Sequence, residues 1–369
     1  MLEKINVLML DGHVGHALIV ARCLKKVAGL RIQVMAETSW SALRFSRRRN
    51  HYATVCWDDG NDILLSSIAK IASKTGANII MPVDEPAVQF VAQNLDAISR
   101  IVPSVLVPTP EVFDIATDKW LLAQFLLQHH IPCPYSILFE KGDSIQKLET
   151  LPFPILIKPK KGHGGHGIHV FGSLDEIKKF VCADRLESNT SYVFQAYIDG
   201  YDIDCSFLAK EGKILAYTIQ KGFMPRSDPY AAPAGISFLH QDEVLLVVTR
   251  MVRDLGFSGI AHVDLRYDTK ARDFKIIEIN ARYWGSLTGS LLAGVNFPYL
   301  ACLAGLGCAF ELPTYESIRF IDHTAAAKHM MRLVLGKEKE PIGYRETDFP
   351  FIFSDPCAEV LNIVRRRSN

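Results

Sequence analysis

The sequence lacks an excess of charge of either sign. Its 369 residues include 41 Lys and Arg and 40 Asp and Glu, so the formal net charge is +1. Proteins that bind nucleic acids gain much of their affinity when basic side chains neutralise phosphates. The even balance therefore removes the electrostatic reason to expect a nucleic-acid partner.

Paired cysteines and long apolar runs are also missing. The eight cysteines contain no CxxC pair, and no stretch of 18 uncharged apolar residues occurs. Isolated thiols among apolar neighbours are typical of core residues in a reducing compartment. The apolar stretch near the amino terminus is too short for a secretory signal. We therefore expect a soluble cytoplasmic protein without a membrane partner.

The length and composition predict a folded protein of two or three domains. Hydrophobic residues make up 49% of the chain and charged residues 22%, which is the balance of globular proteins. The proline-punctuated stretch PSVLVPTP at 103–110 is typical of a linker. The tail after about residue 312 gives no functional signal, and a homodimer contact through it remains an open alternative.

The first hundred residues have the pattern of a doubly wound parallel α/β domain. Apolar runs at 5–10, 31–36, 53–57 and 78–82 alternate with helical patterns, the second of which covers 62–75. A turn with Gly12 and Gly15 follows the first run. It lacks the third glycine of a dinucleotide fingerprint, and Glu37 only loosely supplies the acidic strand end. Cofactor binding there and close packing of a strand into a helix both stay open.

The pattern changes near residue 150 from parallel units to antiparallel hairpins. Apolar runs at 192–197, 203–210 and 213–220 are followed by a helical pattern at 241–255 and two further runs at 259–267 and 275–279. Glu211-Gly212 separates the second and third runs and predicts a tight hairpin turn. We therefore expect an α+β unit after the parallel domain.

A glycine-rich loop at 162–167 is the most informative segment. It follows an apolar run that ends at Lys158, and four of its six residues are glycine. Glycine at this density lets backbone N–H groups converge on an anion, and the lysine adds a point charge. The loop lies between two strands and no Lys-Ser or Lys-Thr pair follows it, which excludes the dinucleotide and P-loop mechanisms. It predicts a phosphate site, with a polar surface hairpin as the alternative.

Carboxylates near residue 270 predict a magnesium site. The period of two places Glu278 and Asn280 on one face of a strand, and Asp264 on the preceding strand can lie beside them. Two carboxylates and an amide oxygen suit Mg²⁺, which also takes phosphate oxygens. Salt bridges from these acids to Arg266 or Lys275 are the alternative.

In this order and spacing the motifs resemble the ATP-grasp superfamily. They are Thr117-Asp118-Lys119 before a helix, Lys158 with the glycine loop, and Asp264 before Glu278-Ile-Asn-Ala-Arg-Tyr-Trp-Gly285. The last stretch resembles the carboxylate–amine ligase branch, including carbamoyl-phosphate synthase-like and amino-acid ligase proteins, which often have Asn-Pro-Arg there. The resemblance covers residues 5–310.

The resemblance implies a division of the chain. Residues 1–107 would form an N-terminal parallel α/β (pre-ATP-grasp) domain and residues 108–310 an ATP-grasp fold of two α+β subdomains with antiparallel sheets. Within it, 108–190 would be the smaller lid subdomain and 191–310 the larger subdomain. Residues 311–369 would be a C-terminal extension.

The resemblance also implies roles for single residues. ATP would be held by Lys119, Lys158, the loop residues Gly164, Gly165, His166 and Gly167, the hinge residues Gln195, Ala196, Tyr197 and Ile198, and Asp202 at the ribose. Mg²⁺, or alternatively Mn²⁺, would be held by Asp264, Glu278 and Asn280, and Arg282 with Lys158 would act in catalysis. The family usually has glutamate where this chain has Gln195 and Asp202, so we expect weaker or shifted nucleotide contacts there.

These roles imply an ATP-dependent ligase that joins a small-molecule carboxylate to an amine through an acyl phosphate. A closing lid is expected, and the glycine loop and a long loop at 221–236 are both candidates. In the second loop Lys221 and Arg226 would meet the substrate carboxylate, with a solvated surface loop as the alternative. Two alternatives remain open: a nucleotide-binding protein of the same fold without catalysis, and an NAD-linked oxidoreductase using the N-terminal sheet.

Overall fold

The computed structural model describes residues 4–162, 167–182, 186, 190–226, 231–337 and 340–368, the last six as backbone only. The chain begins with a four-stranded parallel sheet in the order β3-β2-β1-β4. Its strands are β1 (Asn6–Met9), β2 (Arg31–Ala36), β3 (His51–Thr54) and β4 (Ile79–Met81), and its helices are α1 (Gly15–Leu24), α2 (Asn61–Thr75), α3 (Glu85–Gln93) and α4 (Leu95–Ser99). The predicted parallel α/β start is confirmed.

Close packing explains the glycine turn after β1. A Cβ added to Gly12 would lie 2.1 Å from Cγ1 of Val34, and the Gly12 N–H donates to the Met35 carbonyl at 2.9 Å. The buried Asp11 accepts the N–H groups of Val83 and Asp84 at 2.9 and 2.7 Å. The turn therefore has a structural role in joining β1, β2 and the end of β4.

A smaller antiparallel sheet in the order β5-β8-β6-β7 follows. Its strands are β5 (Ser136–Phe139), β6 (Ile155–Pro159), β7 (His169–Phe171) and β8 (Tyr192–Ala196), with helices α5 (Pro110–Thr117), α6 (Lys119–Gln128) and α7 (Leu174–Cys182). Asp118 caps α6 by accepting the N–H groups of Trp120 and Leu121 at 3.0 and 3.1 Å. This cap fixes the direction in which Lys119 leaves the helix.

The larger antiparallel sheet has the order β13-β12-β9-β10-β11-β14. Its strands are β9 (Gly200–Lys210), β10 (Lys213–Met224), β11 (Gly235–Leu239), β12 (Gly259–Asp268), β13 (Asp273–Asn280) and β14 (Arg319–Ile321), and α8 (Asp242–Leu255) packs on it. The hairpin at Glu211 and Gly212, with φ of 47° and 79°, is confirmed. The long loop expected at 221–236 is wrong at both ends, because β10 continues to Met224 and β11 begins at Gly235.

The proline-rich stretch at 103–110 is not a free linker. The Ile80 N–H donates to the Pro103 carbonyl, and the Val105 N–H donates to the Ile80 carbonyl, both at 2.9 Å. These bonds add residues 103–105 to the edge of the parallel sheet at β4. Proline can take part because it supplies a carbonyl acceptor although it has no N–H.

The remaining helices come after β13, and some of them contact the N-terminal region. They are α9 (Leu287–Ala293), α10 (Phe297–Gly305), α11 (His323–Val334), α12 (Phe349–Phe353) and α13 (Pro356–Ser368). One hydrophobic core contains β1, α1 and β2 together with residues 283–303. Among the described residues, no single helix is long and apolar enough to cross a membrane, and only α9 and α10 taken together, bent by 87°, pass that test.

Candidate active site

Two lysines from the smaller half of the antiparallel region meet a carboxylate of the larger sheet. Lys119 Nζ lies 3.1 Å from Glu278 Oε1 and donates to the Gly162 carbonyl. Lys158, at the end of β6, is only 4% exposed. Burial, helped by the positive charge of Lys119, lowers the pKa of Lys158 to about 8, although the attraction of Glu278 opposes the shift. Both lysines therefore lie near the Glu278 carboxylate, where the two antiparallel sheets meet.

Strand register brings the predicted magnesium ligands together. Asp264 on β12 lies directly opposite Glu278 on β13, and His262 lies opposite Asn280. The Asn280 amide Nδ2 is 3.4 Å from Asp264 Oδ2. The alternative salt bridges are not formed, because Arg266 pairs with Asp202 and Lys275 with Asp268, at 2.6 and 2.7 Å.

This donor set fits a magnesium ion. Two carboxylates and an amide oxygen are hard ligands for Mg²⁺. The Asn280 oxygen accepts from Arg282 Nη2 at 3.1 Å and retains a second lone pair. Desolvation, followed by the negative charges of Asp204 and Glu278, raises the pKa of the Asp264 carboxyl well above its ordinary value, although 40% of the side chain is exposed. A cation bound there would offset this crowding of negative charge.

Arg282 is held by residues that sequence reasoning missed. Its Nε lies 3.3 Å from Asp84 Oδ1 and 3.5 Å from Glu85 Oε1, and the residue is 9% exposed. Both acids belong to the start of α3 in the N-terminal α/β region. Nothing in their local sequence marks them, because their role arises only when that region docks on the larger sheet.

Asp204 lies in one row with Asp264 and Glu278 across three strands, and we call these three carboxylates the acidic row. In the sheet register it lies opposite Asp264 on one side and Gln220 on the other. Gln220 Nε2 donates to Asp204 at 3.1 Å and is itself oriented by the Ser286 hydroxyl at 2.9 Å. Burial, together with the negative charge of Asp202, raises the pKa of Asp204 to about 7. The hydrogen bond from Gln220 opposes this shift.

His262 lies beside Asp204 and Asp264 of the acidic row, and its imidazole ring is neutral. Its Nε2 lies 3.4 Å from Asp264 Oδ1 and 3.9 Å from Asp204 Oδ2, and its Nδ1 is 2.8 Å from the Ser206 hydroxyl. Burial, followed by the charge of Arg282, lowers the pKa of His262 to about 3. The period of two in Asp202-Ile-Asp204 and His262-Val-Asp264 is the signal that could have identified both residues.

The predicted adenine hinge has most of its backbone donors engaged. The Ala196 N–H donates to the Tyr135 carbonyl at 2.9 Å, and the Tyr197 N–H donates to the Pro154 carbonyl at 3.0 Å. Within the described part of the chain, the N–H of Ile198 has no such partner. Two of the three backbone N–H groups of the hinge are therefore paired within the protein, and adenine binding by the backbone of residues 196–198 stays a prediction.

The side chains of the hinge are also engaged. Gln195 is buried and donates to the Ser136 hydroxyl at 2.8 Å. Asp202, predicted at the ribose, is 69% exposed, and its Oδ1 is 2.6 Å from Arg266 Nη1. Gln195 therefore ties β8 to β5, whereas the Asp202 carboxylate is largely exposed and pairs with Arg266.

The glycine loop is described only at its ends. The Gly162 carbonyl accepts from Lys119, and Gly167 has a φ of 74° that favours glycine. Gly164, Gly165 and His166 lie outside the described residues.

The two basic residues of the expected closing loop have other partners. Lys221 Nζ lies 3.4 Å from the ring centre of Tyr201, on the sheet face opposite Gln220. Arg226 pairs with Asp322 and donates to the Ala232 carbonyl at 2.9 Å. Lys221 therefore does not face the acidic row.

Known proteins resemble this chain over the same region. Residues 116–286 match the family described as the ATP-grasp domain. Carbamoyl-phosphate synthase of Methanobrevibacter smithii is 22% identical over 59% of this chain and 60% of its own length, and D-alanine–D-alanine ligase of Anaplasma marginale is 24% identical over 51% and 60%. The chain thus aligns with about three fifths of these relatives.

A solved structure shares the fold over a longer stretch. N5-carboxyaminoimidazole synthetase of Staphylococcus aureus, complexed with ADP, superposes with a TM-score of 0.67 and 15% identity. The match covers 85% of this chain and 81% of that one, so it extends well beyond residues 116–286.

Proposed function

We propose that this chain, which contains an ATP-grasp domain over residues 116–286, is an ATP-dependent ligase. It activates a substrate carboxylate as an acyl phosphate, joins the acyl group to an amine, and releases ADP and phosphate. The contact that carries the proposal is the 3.1 Å approach of Lys119 to Glu278, because it joins the predicted phosphate lysines to the predicted metal ligands. A triphosphate with its metal needs both groups in one cleft.

The reaction needs charge neutralisation more than a protein nucleophile. An oxygen of the substrate carboxylate attacks the γ-phosphorus, and the bond from that phosphorus to the ADP oxygen breaks. The amine nitrogen then attacks the acyl carbon, loses a proton, and expels inorganic phosphate. Phosphoryl transfer of this kind depends on positioning and on electrostatic stabilisation of the transferred group.

Each charged group of the cleft has a distinct task in this proposal. Lys119 and Lys158 bind the phosphate oxygens, and the low exposure of Lys158 strengthens its attraction because little water screens it. Asp264, Glu278 and Asn280 would hold Mg²⁺, or Mn²⁺ in its place, and the ion would neutralise phosphate charge when bound.

Arg282 links the nucleotide end of the cleft to the N-terminal region. Asp84 and Glu85 hold its guanidinium beside Asn280, and in this proposal it contacts the acyl phosphate from there. Because both acids come from α3, the substrate region of the cleft requires the N-terminal α/β region in place. Phosphate expelled from the acyl phosphate would leave beside this fixed positive charge.

Phosphate release from Mg-ATP tests the proposal. We expect one or more members of a panel of amino acids and small carboxylic acids, offered with amines, to stimulate release by the unaltered chain. Glu278→Gln keeps the shape but removes a ligand charge, and we expect it to lower release by at least ~100-fold. Glu311→Gln, an exposed residue, serves as the matched control and should leave release unchanged.

The outcomes separate the proposal from its alternative. Equal release by Glu278→Gln and the unaltered chain would contradict the metal assignment. Tight ATP binding with no release across the panel would instead favour the nucleotide-binding protein without catalysis. Formation of the amide product, followed by mass spectrometry, distinguishes ligation from plain ATP hydrolysis.

A further inference from the structure

We propose that Arg266 is a positioning residue that holds the nucleotide hinge in its binding geometry. The inference rests on the proposed function, since it concerns the segment expected to contact adenine and ribose. Arg266 lies on β12, directly opposite Asp202 on β9. From there its guanidinium reaches the connection between the two antiparallel sheets.

The donors of Arg266 are directed at one short segment. They reach the Ile198 carbonyl at 2.8 Å, the Gly200 carbonyl at 2.9 Å, Asp202 Oδ1 at 2.6 Å and the Tyr197 hydroxyl at 3.4 Å. The guanidinium also lies 5.5 Å from the centre of the Tyr197 ring. One side chain therefore contacts the backbone or side chain of four positions between 197 and 202.

This segment needs an external support because it belongs to neither sheet. β8 ends at Ala196 in the smaller sheet, and β9 begins at Gly200 in the larger one. Between them, backbone hydrogen bonds of 3.0 Å join Tyr197 to Pro154 and Thr269 to Asp199. The Ile198 carbonyl, and that of Gly200 at the start of β9, are taken up by Arg266. Removal of the guanidinium would free the segment to move away from the nucleotide.

Arg266 also orients the acid expected at the ribose. It binds Oδ1 of Asp202, and within the described residues no hydrogen bond is recorded for Oδ2. The carboxylate is 69% exposed, so without Arg266 it would sample many rotamers in water. A fixed carboxylate with one available oxygen is arranged to accept a ribose hydroxyl.

The fork of an arginine is required for these contacts. Its planar guanidinium has five N–H groups and can bind several acceptors at fixed angles, whereas a lysine offers a single ammonium group on a flexible stem. Arg266→Lys therefore keeps the charge and loses most of the hinge contacts. This substitution separates positioning from simple charge attraction.

Binding of two probes, measured by titration calorimetry with Mg²⁺ present, tests the inference. ATP contacts the hinge and the phosphate lysines, whereas inorganic tripolyphosphate can contact only the latter. We expect Arg266→Ala and Arg266→Lys to weaken ATP binding by ~10-fold or more, and to change tripolyphosphate binding by less than about twofold. Lys275→Ala is the matched control, because Lys275 faces Arg266 in the sheet register and pairs with Asp268 instead.

The results distinguish this inference from the proposed function. Unchanged ATP affinity in both Arg266 variants, or full recovery by lysine, would overturn the positioning role. Equal weakening of both probes would overturn it too, because the loss would then not be confined to the hinge. If the unaltered chain bound neither probe, the proposed function would fail and this inference with it. If the unaltered chain bound both probes and the Arg266 variants bound them equally well, only this inference would fail.

Discussion

Lys158 is a lysine whose charge is sensitive to pH near neutrality. Burial lowers its pKa to about 8, so the ammonium form that attracts phosphate predominates only below that pH. As the pH rises through this value, the free chain loses the charge and must recover a proton to bind a triphosphate in the same way. The affinity for Mg-ATP should therefore fall on the alkaline side.

We expect the dissociation constant of Mg-ATP to increase by about 10–100-fold across this titration, which is the usual loss for a charged hydrogen bond. Lys158→Met should bind ATP weakly at every pH and show no such step. Lys160→Met is the control, because Lys160 is half-buried and pairs with Asp118. Calorimetric titrations at several pH values measure the effect, and a flat profile for the unaltered chain would contradict it.

At this scale the sequence predicts the residues whose positions follow from a local pattern. The period of two on β12 and β13 was sufficient to bring Asp264, Glu278 and Asn280 together, and the end of an apolar run marked Lys158. Asp84, which supports Arg282, could not be predicted, because it lies at the start of a helix in another part of the chain. Its partner depends on how two regions dock, and no local pattern records that.

At the scale of elements, the turn between β1 and α1 depends on one of its two glycines. Gly12 has no room for a side chain beside Val34, whereas a Cβ at Gly15 would meet nothing within 4 Å. We expect Gly12→Ala to lower the free energy of unfolding by ~1–3 kcal/mol, because overpacking displaces a buried strand. Gly15→Ala is the matched control. Alanine restricts the unfolded chain, so less conformational entropy is lost on folding, and the free energy of unfolding should stay unchanged or rise by up to ~1 kcal/mol.

Urea unfolding of the two variants measures the difference. Equal stability would show that β2 moves easily to accept the new methyl group. ATP affinity should be unaltered in both, since the turn lies in the parallel sheet and not between the antiparallel ones.

The long strands and helices of the larger sheet were predictable because each has a regular apolar period. The short strands β5, β11 and β14 were not predicted. β14 has only three residues and acquires its partner, β11, from a segment about 80 residues earlier in the chain. Such pairing is decided by the completed sheet rather than by local propensity.

For the whole molecule, buried ion pairs fasten the C-terminal helices to the N-terminal region. Asp355 accepts from the Arg48 guanidinium and from the Ser46 hydroxyl, and is 2% exposed at its side chain. Arg48 also donates to the Phe351 carbonyl at 2.6 Å and the Ser354 hydroxyl at 2.8 Å. These contacts show that the last helices are part of the folded body.

We expect Asp355→Asn to lower the free energy of unfolding by ~3–5 kcal/mol, because it leaves the buried Arg48 charge without its counter-ion. Lys178→Met breaks an exposed pair with Asp175, and its effect should stay below ~1 kcal/mol. Urea unfolding followed by circular dichroism compares the two, and similar small effects would contradict the role of the buried pair.

The core shared by β1, α1 and residues 283–303 has a consequence for how the protein is made. When residue 107 has just been added to the growing chain, the helices that cover this apolar surface are still on the order of 180 residues from being translated. At ordinary bacterial or eukaryotic rates of synthesis that interval lasts on the order of 10–40 s. We therefore expect the apolar face of the nascent parallel sheet to stay exposed through this interval, when it is open to aggregation or to chaperone binding.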